Sequence, residues 1–395
     1  MRDWTLLLTF TGRDSPGITA ALTEVLARFD ARLYDVEQVV VQGQLTLGFV
    51  VSFPDAAGEQ PAISELQQTA RRFGLHLDHS PGLVPSGEPS GRTRFVLTVI
   101  ARGLVPAQLQ NVAGLLSTHG ANIERIHRLS EGGLDCVEIA VSLPFANEQK
   151  LKSALLAAGQ TGRFDVALQK EDLIRRSKRL VVMDMDSTLI QIEVIDELAR
   201  VYGVYEPVSA ITRRAMQGEM DYDQSLRERV ALLRGLDQSV LQELAENLPL
   251  TEGAETLLRV LKRLGYRTAV ISGGFSVAAE ALQKRLGIDR AWSNVLEIEG
   301  GKLTGRVVGQ IVNARRKAEL LEQFAKAEGV PLDQVIAIGD GANDLFMLQK
   351  AGHGIAFHAK PKLREAAHTA ISAGGLDAIL YLLGIPGRDI EALDA

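Results

Sequence analysis

The stretch Val181-Val182-Met183-Asp184-Met185-Asp186-Ser187-Thr188 decides how this chain is read. A short apolar strand ends and at once presents two carboxylates, two residues apart. In extended backbone, residues i and i+2 point to one face, so Asp184 and Asp186 reach the same small volume at the carboxyl end of a strand. That end is where open α/β sheets bind ligands. Two adjacent carboxylates repel unless a cation joins them or one keeps a proton. Either resolution points to chemistry.

Downstream of this strand the pattern alternates. Strands are expected at 268–271, 335–338 and 354–357, helices at 277–286, 318–328 and 344–351, and a hairpin-like pair over 295–308. Strands alternating with helices indicate a doubly wound, parallel, Rossmann-like α/β sheet, here over 178–384. The stretch 194–248 reads as helical throughout and is too long for a simple crossover. It is expected to form an inserted helical cap at about 190–250.

Upstream, the first 170 residues repeat weakly with a period near 90. Strand 5–10, helix 18–29, hairpin 36–41 with 45–53, helix 63–73 and strand 75–79 are matched by strand 95–100, helix 108–118, hairpin 123–129 with 134–143, helix 148–158 and strand 164–168. The pattern is βαββαβ twice, an α+β signature, giving units at 1–82 and 94–170. Between them the Pro/Gly/Ser-rich run Ser80-Pro81-Gly82-Leu83-Val84-Pro85-Ser86-Gly87-Glu88-Pro89-Ser90-Gly91 reads as a linker, placed at 83–93.

Composition sets outer limits. With 395 residues, 46% of them hydrophobic, the chain can bury more than one core. The net charge of −6 leaves no basic footprint for nucleic acid, so an anionic substrate needs locally placed cations. The single cysteine, Cys136, lies in an apolar strand-like run and reads as core. The start of the chain has too short an apolar run for a secretory signal, and no 18-residue apolar stretch occurs, so a cytoplasmic protein without a membrane span is expected. His353 and His358 lack further ligands nearby and read as structural rather than metal-binding.

Four elements line up at or after strand ends: Asp184-Met185-Asp186-Ser187-Thr188, Ser272-Gly273-Gly274, Lys317 ahead of helix 318–328, and Gly339-Asp340-Gly341-Ala342-Asn343-Asp344. Together they resemble the haloacid dehalogenase superfamily of aspartate-nucleophile phosphatases. An EF-hand calcium loop starting at Asp184 is excluded, because its sixth and twelfth positions are Leu189 and Ile195 rather than Gly and Glu. The front doublet resembles tandem ACT domains, which are small-molecule sensor modules. The run Ile211–Val230 resembles the cap of the superfamily's phosphoserine phosphatase branch.

The residues support that chemistry on their own terms. A phosphate monoester repels nucleophiles, so a site must neutralise its oxygens and position an attacker in line. Asp184 suits the nucleophile, giving a hydrolysable acyl phosphate. Asp186 is placed to protonate the leaving oxygen and then to deprotonate water. Mg2+ fits the oxygen-rich set of Asp184, Asp340 and the Asp186 backbone carbonyl. Ser272 and Gly273 can hold phosphate oxygens, as can Asn343, and Lys317 adds a fixed charge. Asp344 can orient Lys317 or meet the metal through water.

The resemblance adds the substrate. It implies hydrolysis of O-phospho-L-serine to L-serine, with Glu193 pairing with the α-ammonium and Arg229 gripping the α-carboxylate. Met216 and Tyr222 would form apolar walls; the family often has Phe where this chain has Tyr222. The ACT resemblance implies an amino-acid effector, L-serine by economy, at the turn of Gly12, Asp14 and Gly17, and a homodimer. The second copy departs from that turn, with Ala101-Arg102-Gly103-Leu104-Val105-Pro106 in its place. The competing readings are a phosphatase or phosphotransferase for another small phosphorylated amino acid, and a non-catalytic amino-acid-binding regulator.

Overall fold

The computed structural model describes residues 5–54, 56–82, 92–130 and 133–395. The chain divides into two bodies, one ending at Gly91 and the other beginning at Arg92. The expected linker falls mostly on residues 83–91, outside the described residues, and its last two positions belong to a strand instead.

The first body runs β1 (Thr5–Arg13), α1 (Ile18–Arg28), β2 (Arg32–Val41), β3 (Gln44–Ser52), α2 (Ala56–Arg72) and β4 (His76–Gly82). Its antiparallel sheet has the order β2-β3-β1-β4. One face is apolar: Leu8 and Phe10 of β1 and Leu47 and Phe49 of β3 are buried. Ile18, Leu22, Val25 and Leu26 form the matching stripe on α1. Helix α2 starts seven residues before the expected 63 because it runs through Pro61, whose missing N–H disguises a helix in sequence.

The second body opens with the second βαββαβ unit: β5 (Arg92–Ala101), α3 (Pro106–Thr118), β6 (Asn122–Arg128), β7 (Asp135–Pro144), α4 (Glu148–Gly162) and β8 (Asp165–Lys170), in the sheet order β6-β7-β5-β8. This sheet is covered on both faces. Phe95, Leu97 and Val99 pack with Val112 and Leu116 of α3 and Leu151 and Leu155 of α4. Ile100, Cys136 and Ala167 join a different core, shared with Leu376, Ile379 and Leu380 of the downstream α/β layer. Cys136 is fully buried, and burial followed by the Glu138 charge pushes its thiol far above the usual range. It is core, as expected.

After α5 (Leu173–Arg176) comes β9 (Leu180–Met183), and then four helices where one long helical stretch was expected: α6 (Val194–Tyr202), α7 (Tyr205–Met216), α8 (Tyr222–Ala231) and α9 (Gln238–Glu246). Gly203 and Gly218, both at positive φ, end α6 and α7, and the Asp221 and Asp237 side chains cap α8 and α9. The Ile190–Leu250 bridge pairs the way into this insertion with the way out. The chain continues with α10 (Ala254–Arg263), β10 (Arg267–Phe275), α11 (Ser276–Leu286), β11 (Arg290–Glu299), β12 (Lys302–Val308), α12 (Ala314–Ala327), β13 (Val335–Gly339), α13 (Leu345–Lys350), β14 (His353–Phe357), α14 (Pro361–Ala366), β15 (Thr369–Ile371), α15 (Ala378–Leu382) and α16 (Gly387–Asp394). Helix α16 lies beyond the expected limit at 384. It docks on α10, where Arg259 Nη1 donates to the Asp394 carbonyl oxygen at 2.8 Å and Arg263 Nη1 to that of Leu393 at 2.7 Å.

The seven-stranded sheet has the order β12-β11-β10-β9-β13-β14-β15, parallel except for β12. The chain fills one side of β9 with β10 and β11, then crosses to β13, β14 and β15, so the order reverses at β9. β9 is apolar on both faces because both are covered. Val181 and Met183 face the core that includes α10 and α11, while Leu180 and Val182 face Leu320, Leu321 and Phe324 of α12 and Met347 and Leu348 of α13. His353 is buried with its Nε2 3.2 Å from Thr369 Oγ1, and His358 Nε2 lies 3.0 Å from the Gly374 carbonyl oxygen. Both are tied into the fold.

The α12 side of the sheet yields a stability test. Phe324 is 2% exposed and meets the Trp292 ring edge-on, with centroids 5.5 Å apart. Phe324→Ala should destabilise the second body by about 3–5 kcal/mol in denaturant unfolding. A loss under about 1 kcal/mol would mean this core collapses around the gap.

Candidate active site

The reversal at β9 brings three strand ends together. Asp184 follows β9, Ser272-Gly273-Gly274 form the end of β10, and Asp340 follows β13. Met183 pairs with Val270 on one side and Ile338 on the other, so these ends are level. The chain then turns sharply over Met185–Leu189, with Ser187 at φ 58°, a region that costs a non-glycine residue energy. Ser187 Oγ donates to Glu193 Oε1 at 2.9 Å.

Asp184 is 3% exposed, and its Oδ1 accepts from its neighbour's N–H (Met185) at 2.7 Å and from Lys317 Nζ at 2.8 Å. Lys317 is fully buried and also meets Asp344 Oδ1 at 2.7 Å. Its helix begins at Ala314, three residues before the lysine, with Asn313 as the cap; the expected start at 318 was late. Burial alone would push the Lys317 ammonium down, but the Asp184 and Asp344 carboxylates more than offset this and hold it above its ordinary range. Asp344 Oδ2 accepts the Gly341 N–H at 3.1 Å.

Asp186 faces away from that ion pair. Its Oδ1 accepts the Val194 N–H at the start of α6 at 2.8 Å, and its Oδ2 accepts from Ser272 Oγ at 3.1 Å. Burial and the Glu193 charge push its carboxyl up to about 8. Ser272 Oγ in turn accepts the Gly274 N–H at 2.8 Å. The Ser272 hydroxyl, expected on a phosphate oxygen, is therefore directed at Asp186 in this structure. A Cβ on Gly274 would lie 2.3 Å from Asp186 Oδ2, so only glycine fits there.

Oxygens of Asp184, Asp340 and Asp344 lie within 4.8 Å of one another. Burial and the Asp184 charge raise Asp340 to about 6 and Asp344 to about 7. One lysine does not balance this many carboxylates, and a hard divalent cation with oxygen ligands fits the donor set. Asp184 and Asp340 of the expected metal set belong to this cluster, and Asp344 joins them; Asp186, expected to contribute its backbone carbonyl, has its side chain engaged with α6 and Ser272.

The cap residues are placed unevenly. Arg229 is half-buried, its Nε donating to the Ser225 carbonyl oxygen at 3.3 Å, and its charge is felt at Glu193. Glu193 is at the rim, yet the surrounding protein, with Asp184 adding to it, pushes its carboxyl up against the Ser187 hydrogen bond. The Tyr222 hydroxyl donates to the Gly273 carbonyl oxygen at 3.1 Å, so it is more than an apolar wall. Met216, also expected as a wall, is 68% exposed at the end of α7. Asn343 is half-buried, its Oδ1 2.2 Å from where a Gly341 Cβ would be.

Sequence reasoning missed three participants. Thr188 Oγ1 donates to Asp340 Oδ1 at 3.3 Å, and Ser187 holds Glu193; both stand beside the carboxylate pair, which was the available signal. Asn294 is 1% exposed, donates to the Gly273 carbonyl oxygen at 2.7 Å and accepts the Val312 N–H at 2.8 Å. It sits inside a strand, with no local signature.

The raised carboxyls give a testable dependence on pH. A carboxyl whose pKa is higher folded than unfolded (about 3.9 for Asp) favours the folded state while protonated. Its contribution is full below the unfolded value and is lost as pH rises through the folded one. With metal chelated, the thermal unfolding midpoint should fall between about pH 4 and 8, from the unfolded value up to the raised values of Asp340, Asp344 and Asp186. An added divalent cation should restore it most at the upper end. A flat profile in chelator would refute this account of the cluster.

Comparison with known proteins agrees with this geometry. Residues 178–352 match the haloacid dehalogenase-like hydrolase family, and residues 4–80 and 93–169 each match an ACT domain family. A phosphoserine phosphatase of Streptomyces coelicolor is 45% identical over 390 residues, covering 99% of this chain and 94% of that protein. One from Mycobacterium tuberculosis is 45% identical over 394 residues, covering 99% and 95%. Among solved structures, a probable phosphoserine phosphatase from Vibrio cholerae superposes with a TM-score of 0.59 at 35% identity, over 75% of this chain and 88% of that one. Phosphatases of the haloacid dehalogenase family depend on a metal, in keeping with the acidic cluster. With a doubly wound sheet, paired aspartates at its reversal point, a buried lysine between carboxylates and two ACT domains in front, the chain belongs to the phosphoserine phosphatase family of haloacid dehalogenase-like hydrolases.

Proposed function

We propose that this chain is a Mg2+-dependent phosphatase that hydrolyses O-phospho-L-serine to L-serine and phosphate through an aspartyl phosphate. The observation that carries the reading is the pairing of Asp184, held by Lys317, with a buried Asp186 that is hydrogen-bonded to the Val194 N–H and the Ser272 hydroxyl at the same strand end. Asp184 attacks phosphorus as the bond to the serine oxygen breaks, and Asp186 delivers its proton to that leaving oxygen. Water then attacks the phosphorus, gives its proton to Asp186, and Asp184 is released. Lys317 stays charged throughout and faces the negative charge that builds up. Mg2+, held by Asp184, Asp340 and the Asp186 backbone carbonyl, would neutralise phosphate oxygens. Asn343, Gly273 and a turned Ser272 would complete the phosphate site, with Asp344 keeping Lys317 in place.

Glu193 and Arg229 support an amino-acid head group, since one offers a carboxylate for the ammonium and the other a guanidinium for the carboxylate. A cytoplasmic location and a homodimer belong to the same proposal. The dimer is supported by exposed Leu33, Val36, Val39, Val40 and Val41 on strand β2.

A phosphate-release screen over small phosphorylated metabolites, with Mg2+ and with chelator, tests the activity. O-phospho-L-serine should be preferred, chelator should abolish turnover, and Ca2+ should inhibit through its looser coordination. Asp184→Asn should lose about 10⁶-fold or more. Arg229→Ala should lose about ten- to a hundredfold on phosphoserine while sparing an aryl phosphate. Substantial turnover by Asp184→Asn, or equal losses on both substrates for Arg229→Ala, would refute the assigned roles.

Regulation by L-serine at the first ACT turn is part of this reading. Gly17 precedes α1 without a side-chain cap, leaving N–H groups suited to a carboxylate. In the second copy the Gln108 side chain returns to the Val105 N–H, and Pro106 opens the helix. Gly12 is unsuitable for mutation, since a Cβ there would lie 2.7 Å from Leu75 Cδ2 and 2.9 Å from the Gly74 carbonyl oxygen. Asp14 is exposed. Asp14→Ala should keep basal turnover and lose inhibition by L-serine at saturating substrate, where competition at the active site vanishes. Unchanged inhibition would place the sensor elsewhere.

A further inference from the structure

Helix α8 is joined to the catalytic layer at two adjacent residues. Tyr222, its first residue, donates from its hydroxyl to the Gly273 carbonyl oxygen at 3.1 Å. Asp223 Oδ1 accepts from Asn313 Nδ2 at 3.0 Å. Gly273 belongs to the strand end expected to hold phosphate, and Asn313 caps the helix that carries Lys317. Asn294 closes the circuit from below, donating to the same Gly273 carbonyl at 2.7 Å and accepting the N–H of Val312, next to Asn313, at 2.8 Å. The glycine is needed for this approach, because a Cβ at 273 would lie 2.2 Å from the Tyr222 hydroxyl oxygen. Arg229 stands seven residues along α8, two turns away on the same side.

We propose that Tyr222 and Asp223 act as a ruler, two positioning residues that fix α8 on the phosphate-holding elements and so set the distance between the phosphate site and Arg229. The inference rests on the proposed phosphoserine activity. Its consequence is chain-length selectivity. A substrate with one methylene more between phosphate and carboxylate cannot satisfy both ends while α8 is fixed, and can once α8 is free to shift. Two hydrogen bonds from neighbouring residues tie the start of α8 to two different elements, while Leu226 and Val230 pack its body into the core.

The test compares kcat/KM for O-phospho-L-serine, O-phospho-L-homoserine and an aryl phosphate. The variants are Tyr222→Phe, which keeps the ring, Asp223→Ala, and Asp223→Asn, which keeps the acceptor oxygen. Tyr222→Phe and Asp223→Ala should each lower phosphoserine use about two- to tenfold, the range of a net hydrogen bond. Phosphohomoserine use should fall less than phosphoserine use, so the serine-to-homoserine ratio falls. Most of the phosphoserine change should lie in KM, and Asp223→Asn should stay within about twofold of wild type. An unchanged ratio in both Tyr222→Phe and Asp223→Ala overturns the ruler, whether all substrates fall together or none does. Asp223→Asn falling as far as Asp223→Ala overturns the hydrogen bond as its cause. Wild-type protein inactive on phosphoserine but active on another phosphate would instead remove the functional reading on which the ruler rests.

Discussion

The ammonium of Lys317, enclosed between Asp184 and Asp344, is the constraint around which the catalytic layer is arranged. A fully buried cation is costly unless its partners are close and themselves hydrogen-bonded. Here one partner also accepts the Met185 N–H and the other the Gly341 N–H, so both are fixed. Removing either side of such a buried pair typically costs about 3–5 kcal/mol. The position of Lys317 is set by α12, whose apolar face packs Leu320, Leu321 and Phe324 against the sheet. Core packing on one side of the sheet thus fixes the charge distribution at its edge.

That arrangement separates the two aspartates of the opening motif. Asp184 lies beside a cation, and Asp186 lies beside an amide N–H, a hydroxyl and the Glu193 charge. The same residue type, two positions apart, has a cation as partner in one case and neutral donors in the other. The difference depends on the turn through Ser187 and on the absence of a side chain at Gly274, which together let α6 and the end of β10 close on Asp186. The two aspartates differ by environment alone.

The two ACT domains share a pattern and differ in burial. β1 alternates buried and exposed residues, while β5 is buried from Phe95 to Ala101. The second sheet has an apolar partner on each face, and Asp165 accepts the N–H groups of Ser372 and Ala373 across that contact. The second module is thereby built into the catalytic body, and its helix-opening turn is closed by Gln108. The first copy differs there, since Gly17 opens α1 with no side-chain cap.

The sequence by itself determined the architecture, because the patterns that decide it are local. The apolar run of β9, the strand–helix alternation, the doubled βαββαβ and the Asp184–Asp186 pair were all legible within short windows. Boundaries were read less well where one residue mimics another role: Pro61 hid the start of α2, and helical propensity across 194–248 masked the breaks at Gly203 and Gly218. Only the tertiary structure decided that Lys317 sits between two carboxylates, that Asn294 and Tyr222 share one carbonyl, and that Met216 stays exposed. Those contacts join residues 21 to 133 positions apart, and no local pattern encodes them. They follow from which strands lie side by side at β9 and how closely the helices pack upon them.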